Sequence, residues 1–212
     1  MRNARILSAV LIFALVSPGW AATQFVVNLD SSQEVGTLTD PVGATGQGTL
    51  TLVDLGGGDF RWEYEVTISP ELSFSNVTGN AALDNGGRQA SGFHIHNAAR
   101  GVNGPVIYGL YGPDQDFDND VVAVLNGDNS TTFTGSWGPS DGNPVGNING
   151  HATNFLLPAV AGEDVPFYFN AHTSLNPGGE TRGQIVAVPE PVSWMLCLVG
   201  GIPLVYRIRR RK

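Results

Sequence analysis

The chain has 212 residues, a formal net charge of −8, 28 glycines and a single cysteine. Its 42% hydrophobic share excludes a disordered polymer, and the length excludes a second sizeable domain once both ends are read as addresses, which leaves about 165 residues between them. Between Thr23 and Val188 the only cations are Arg61, Arg88, Arg100 and Arg182 against 18 acidic residues, a net charge of −14 that excludes nucleic acid as a partner.

Residues 1–21 predict a secretory signal helix. Arg2 and Arg5 supply its positive start, Ile6 to Val16 its apolar run, and Ser17-Pro18-Gly19 the break before a cleavage residue at Ala21. The run of 11 residues is too short for a bilayer, which needs about 20. Residues 22–187 then predict one domain of short strands. The candidates are Gln24 to Leu29, Gly48 to Val53, Phe60 to Ile68, Gly92 to His96, Val106 to Tyr111, Val121 to Leu125, Thr131 to Trp137, Val165 to Ala171 and Gly183 to Ala187. The clearest is Phe60 to Ile68, where Phe60, Trp62, Tyr64, Val66 and Ile68 fall on one face and Arg61, Glu63, Glu65 and Thr67 on the other. Glycine-rich turns separate the runs, with Asp54-Leu55-Gly56-Gly57-Gly58-Asp59 reading as a hairpin loop. Asn149 to Leu156 is a weak helical candidate, with Gly150 against it. The pattern predicts an all-β fold, a single antiparallel β-sandwich. Cys197 lies outside the domain, which must therefore hold together without a disulfide.

Two groups of side chains within the domain suggest chemistry. His94 and His96 are two apart on a strand, so both rings leave the same face, and neutral imidazoles in that geometry suit copper or zinc. His172, on another strand, is a candidate third ligand. The competing expectation is a hydrogen-bonded structural network of these histidines with Asn170, Glu180 and Arg182, the last two tying the final strand to the histidine strand. His151 has no partner visible in sequence and reads as a surface residue. The second group is Asp114, Asp116, Asp118 and Asp120, whose carboxylates in a loop would suit calcium, although no glycine follows and no glutamate closes the loop as in an EF-hand. The alternative for these four is a solvated acidic loop. No serine or threonine sits in a recognisable nucleophile elbow, so no catalytic residue is assigned and no enzyme is expected. Asn76-Val77-Thr78 and Asn129-Ser130-Thr131 match the glycosylation sequon by chance.

The C-terminus has three parts. Val188-Pro189-Glu190-Pro191 is a stiff spacer, residues 192–206 are apolar and uncharged, and residues 207–212 are almost entirely basic. Basic residues stay on the cytoplasmic side, so this end predicts a membrane helix that leaves the domain outside. Its 15 apolar residues are short for a span, and Tyr206 with the snorkelling arginines would extend it.

Three stretches of the domain carry a resemblance. They are Gly92-Phe93-His94-Ile95-His96 running on to Gly104-Pro105-Val106, then Leu156 to Asp164, then Asn170-Ala171-His172-Thr173 through Asn176-Pro177-Gly178-Gly179-Glu180 to Arg182-Gly183-Gln184-Ile185. Together they resemble the CHRD domain, with Thr181 and Ala171 where the family usually has an aliphatic residue and valine. The likeness runs from about Gln24 to Val186 and implies a β-sandwich of extracellular proteins, immunoglobulin-like or superoxide-dismutase-like. Gly92 to His96 is also similar to the metal strand of Cu/Zn superoxide dismutases, but that family's disulfide and second histidine cluster are missing. Pro189-Glu190-Pro191, the apolar helix and the terminal arginines resemble the PEP-CTERM sorting signal. That signal implies processing by the membrane enzyme exosortase in bacteria that make extracellular polysaccharide. The expected function is an exported cell-surface or extracellular-matrix protein, a non-enzymatic binding or scaffold module associated with exopolysaccharide or biofilm. Its expected partners are the export machinery, exosortase, and exopolysaccharide or other surface proteins. The alternative is a copper- or zinc-binding domain, enzymatic or not, centred on the His-x-His strand.

Overall fold

A computed structural model describes residues 23–39, 43–72, 89–111, 120–141 and 147–188. The signal segment, the Pro-Glu-Pro spacer, the apolar tail and its arginines, Asp114, Asp116, Asp118 and the first sequon lie outside the described residues. Among the described residues no helix is long and apolar enough to cross a membrane.

Nine strands form one antiparallel sheet: β1 (Thr23–Asp30), β2 (Thr45–Gly56), β3 (Asp59–Ser69), β4 (Ala90–Asn97), β5 (Val106–Tyr111), β6 (Val122–Asn126), β7 (Ser130–Trp137), β8 (Asp164–Thr173) and β9 (Thr181–Ala187). Their order is β5-β4-β8-β9-β1-β2-β3-β7-β6. Each predicted strand is present: β1 and β3 alternate between buried and more open positions, whereas β8 and β9 are buried on both faces. The β2–β3 hairpin turns where the glycine run predicts it, with a register shift between Asp54 and Gly56. The weak helical candidate is a single turn, α1 (Ile148–His151), continued by a π-helical turn over Ala152–Leu156. Asn147 caps α1, its side-chain oxygen accepting from the Gly150 N–H at 2.9 Å.

The sheet curls until its two halves meet face to face, as in a β-sandwich. Phe93 of β4 stacks on Phe133 of β7, 4.0 Å between centroids and 5° from parallel. The Tyr64 hydroxyl on β3 donates to the Leu110 carbonyl on β5 at 3.2 Å. Between the halves lie Phe25, Leu50, Trp62, Val66, Ile95, Phe167, Phe169 and Ile185, all fully buried. Each such side chain contributes roughly 1.5–3 kcal/mol of burial, so a domain of this size holds together without a disulfide.

Strand β8 is buried on both faces, with every residue from Phe167 to Thr173 buried. Phe167, Phe169 and Ala171 face the apolar core, whereas Tyr168, Asn170 and His172 face outward. The outward face is covered by chain. Residues 98–105 cross it, fixed by Gln184 Nε2 to the Ala98 carbonyl (3.2 Å), Arg182 to the Val102 carbonyl (2.9 Å) and Gly104 N–H to the Tyr168 hydroxyl (3.3 Å). Asn103 then ties that loop to the Val35 carbonyl of the segment after β1 (3.2 Å). A second, polar layer is thus enclosed outside the apolar core, and the histidines lie in it.

Candidate metal centre

Register brings the three histidines together. His94 pairs with Asn170 and His172 pairs with Gly92 across the β4–β8 ladder, so positions 92, 94 and 96 of β4 share the outer face with 168, 170 and 172 of β8. His94, His96 and His172 each offer a ring nitrogen, and these nitrogens lie within 4.8 Å of one another. His94 and His172 are closest, at 4.6 Å between ring centroids. Gly92 makes room for them. A Cβ there would fall 2.9 Å from His94 Nε2 and 3.0 Å from its Cε1.

The hydrogen bonds fix two tautomers. His96 Nδ1 lies 2.9 Å from the Gly104 carbonyl, and His172 Nδ1 lies 3.0 Å from the Pro177 carbonyl. A carbonyl only accepts, so both Nδ1 atoms carry the proton and donate, and each Nε2 keeps its lone pair. Among the described residues neither buried Nε2 has a hydrogen-bond partner. Leaving such a group unsatisfied costs about 1–3 kcal/mol each, and here two share one spot. Burial pushes the His96 pKa down to about 4, with His172 and Arg182 adding to the effect and the Gly104 carbonyl opposing it. Burial also lowers His172, against the Pro177 carbonyl. Both imidazoles are therefore neutral at physiological pH, the form a metal ligand requires.

The other residues of the expected network have different partners. Arg182 is 2% exposed and does not tie β9 to the histidine strand. Its guanidinium lies 3.5 Å from the Tyr168 ring centroid and donates to Asn103 Oδ1 (3.1 Å) and the Val102 carbonyl (2.9 Å). Tyr168 in turn lies parallel to His96, 4.7 Å between centroids and 10° apart. Arg182 thus backs the His96 ring through a stacked phenol. Glu180 precedes β9, and its carboxylate accepts from Thr173 Oγ1 (2.8 Å) and Asn176 Nδ2 (2.7 Å), holding the turn that delivers Pro177 to His172. Asp120, the one described member of the acidic run, accepts from Ser136 N–H (2.9 Å) and Ser136 Oγ (2.7 Å), which commits its carboxylate to β7. His151 is not a lone surface residue. Its Nδ1 is hydrogen-bonded to the Tyr108 hydroxyl, and its ring packs on Phe167 and Phe155. The signal for it was the i, i+4 spacing of His151 and Phe155 on one helical face.

Glu34 was not legible as a site residue, because nothing marks a lone glutamate in a polar run. Burial pushes its pKa up to about 7, against the pull of Arg182 and a hydrogen bond from Asn170, with Glu180 adding to the rise. Gly179, at φ +132°, leaves the space in which Glu34 and Asn170 meet. A Cβ there would lie 2.6 Å from Glu34 Oε2 and 2.7 Å from Asn170 Nδ2. The sign of the linkage follows from the raised value. The protonated form is favoured by folding, so the contribution is present below the ordinary carboxyl pKa and is lost as pH rises through about 7. Relative to Glu34→Gln, the native chain should lose about 2 kcal/mol of stability between pH 5 and pH 8, a figure discounted for partial exposure. Urea unfolding of both proteins at the two pH values measures it, and parallel pH profiles would contradict it.

This is an antiparallel β domain whose second, polar layer carries a built histidine cluster. The chain belongs to the CHRD domain family, whose model matches residues 25–185, from Phe25 in β1 to Ile185 in β9. No curated protein and no solved structure matches it.

Proposed function

We propose that the chain is an exported, non-enzymatic module of a bacterial cell surface or extracellular matrix, whose CHRD domain binds or scaffolds within an exopolysaccharide layer. The observation that carries this reading is the meeting of the domain's two ends. Val188 N–H donates to the Gln24 carbonyl at 3.0 Å, and Ala187 is held by Gly162 (2.8 Å) and Glu163 (3.1 Å). The described chain therefore begins and ends at one end of the fold, and a membrane-held tail would suspend the domain by that end. The stiff Val188-Pro189-Glu190-Pro191 spacer keeps it off the bilayer, and the acidic surface keeps it dispersed outside. The amino-terminal 21 residues act as the signal peptide, residues 192–206 as the membrane segment, and the Pro-Glu-Pro signal as the exosortase site.

Cell fractionation with intact-mass measurement tests the reading. The expected result is protein in the envelope or medium, shortened at its amino terminus. Unprocessed full-length chain in the cytoplasm would overturn it.

A further inference from the structure

We propose that His94, His96 and His172 form a metal centre for a first-row transition-metal ion of the zinc or copper class. The inference is independent of where the protein is delivered. It stands on four observations of geometry. Three ring nitrogens from two strands lie within 4.8 Å of one another, so an ion at their centre would sit at most about 2.8 Å from each. Small ring rotations close that distance to the about 2.0–2.1 Å of a zinc–imidazole bond. The second observation is that His96 and His172 donate their Nδ1 protons to the Gly104 and Pro177 carbonyls, the outer contact that orients a metal-bound imidazole and leaves Nε2 as the donor atom. The third is that both Nε2 atoms are buried and, among the described residues, have no hydrogen-bond partner. The fourth is that the backbone is shaped for the cluster, since any side chain at position 92 would collide with the His94 ring.

The donor set selects the ion. Three imidazoles with no carboxylate among them suit zinc and copper and are poor ligands for calcium or magnesium, which take oxygen. Three protein ligands also leave a fourth position for water or an incoming donor atom. The Arg182–Tyr168–His96 stack backs the cluster on the β9 side and fixes the His96 ring plane.

Zinc ion alone, added to the full-length protein purified without chelator, is the probe. Bound metal is measured after removal of free ion. The expected result is one zinc per chain, with affinity lowered about 100-fold by His96→Ala and by His172→Ala, and unchanged by His151→Ala. Gly92→Ala keeps all three ligands and presses a methyl group on His94. It should weaken binding about tenfold with an unchanged circular-dichroism spectrum, which keeps the test decisive if a histidine variant fails to fold. Millimolar calcium should not displace the zinc. Absence of bound zinc at micromolar concentration, equal binding by the histidine variants, or displacement by calcium, which would assign the ion to surface carboxylates, would each overturn the proposal.

Discussion

Arg182→Ala should lower the stability of the domain by about 3–5 kcal/mol, because it breaks a buried charged arrangement from one side. Arg182 is 2% exposed, and its guanidinium satisfies Asn103 and the Val102 carbonyl while lying 3.5 Å from the Tyr168 ring centroid. Alanine leaves those acceptors without their donor, opens a cavity beside Tyr168 and removes the cation that opposes the burial of Glu34. It also frees residues 98–105, and with them the Gly104 carbonyl that orients His96. Arg182→Lys keeps the charge but loses the planar stack and the fork of donors, so it should fall between the two, at about 1–2 kcal/mol. The midpoints of urea unfolding give the order. An alanine variant within about 1 kcal/mol of the native chain would show that the polar layer contributes little.

Phe133→Ala should cost a similar about 3–5 kcal/mol for a different reason. Phe133 is fully buried on β7 and touches rings from three other strands: Phe93 at 4.0 Å, Phe169 at 5.8 Å and Tyr64 at 6.3 Å. It is one of the side chains through which the two halves of the curled sheet meet, so its loss removes both burial and the stacking that adds about 0.5–1.5 kcal/mol per aromatic pair. Phe133→Leu refills most of the volume and should recover more than half of the loss. Denaturation followed by the fluorescence of buried Trp62 and Trp137 measures both variants. A cost below about 1 kcal/mol for alanine would mean that the halves do not close on this residue.

The clearest strand was legible because alternation has one physical cause, a face turned to a core. Phe60 to Ile68 alternates without a break and is β3 almost to the residue. Where the reading fell short, glycine was responsible. The strand expected to start at Gly48 starts earlier, since β2 opens at Thr45 and takes in both Gly46 and Gly48. They are small because β3 runs against them, with a Cβ at Gly48 falling 2.8 Å from the Glu65 carbonyl. The same-face placement of His94 and His96 was also legible, since it needs only the period of a strand. His172 joins them through the β4–β8 register, which no local pattern encodes. The lid over the cluster and the roles of Glu34, Tyr168 and Arg182 depend on contacts across 80 or so residues, such as Arg182 with Val102, and long-range pairing leaves no signature in a single sequence.

The central claim is that the outer layer presents two imidazoles locked as neutral Nδ1–H tautomers, with His94 beside them, ready for an ion. Long-range proton–nitrogen NMR of the protein, recorded before and after one equivalent of zinc, tests it most directly. The account predicts that His96 and His172 carry their proton on Nδ1 at neutral pH, and that the ring nitrogens of His94, His96 and His172 shift together on adding zinc while His151 does not move. Protons found on Nε2 of His96 and His172, or a zinc response confined to His151, would contradict it.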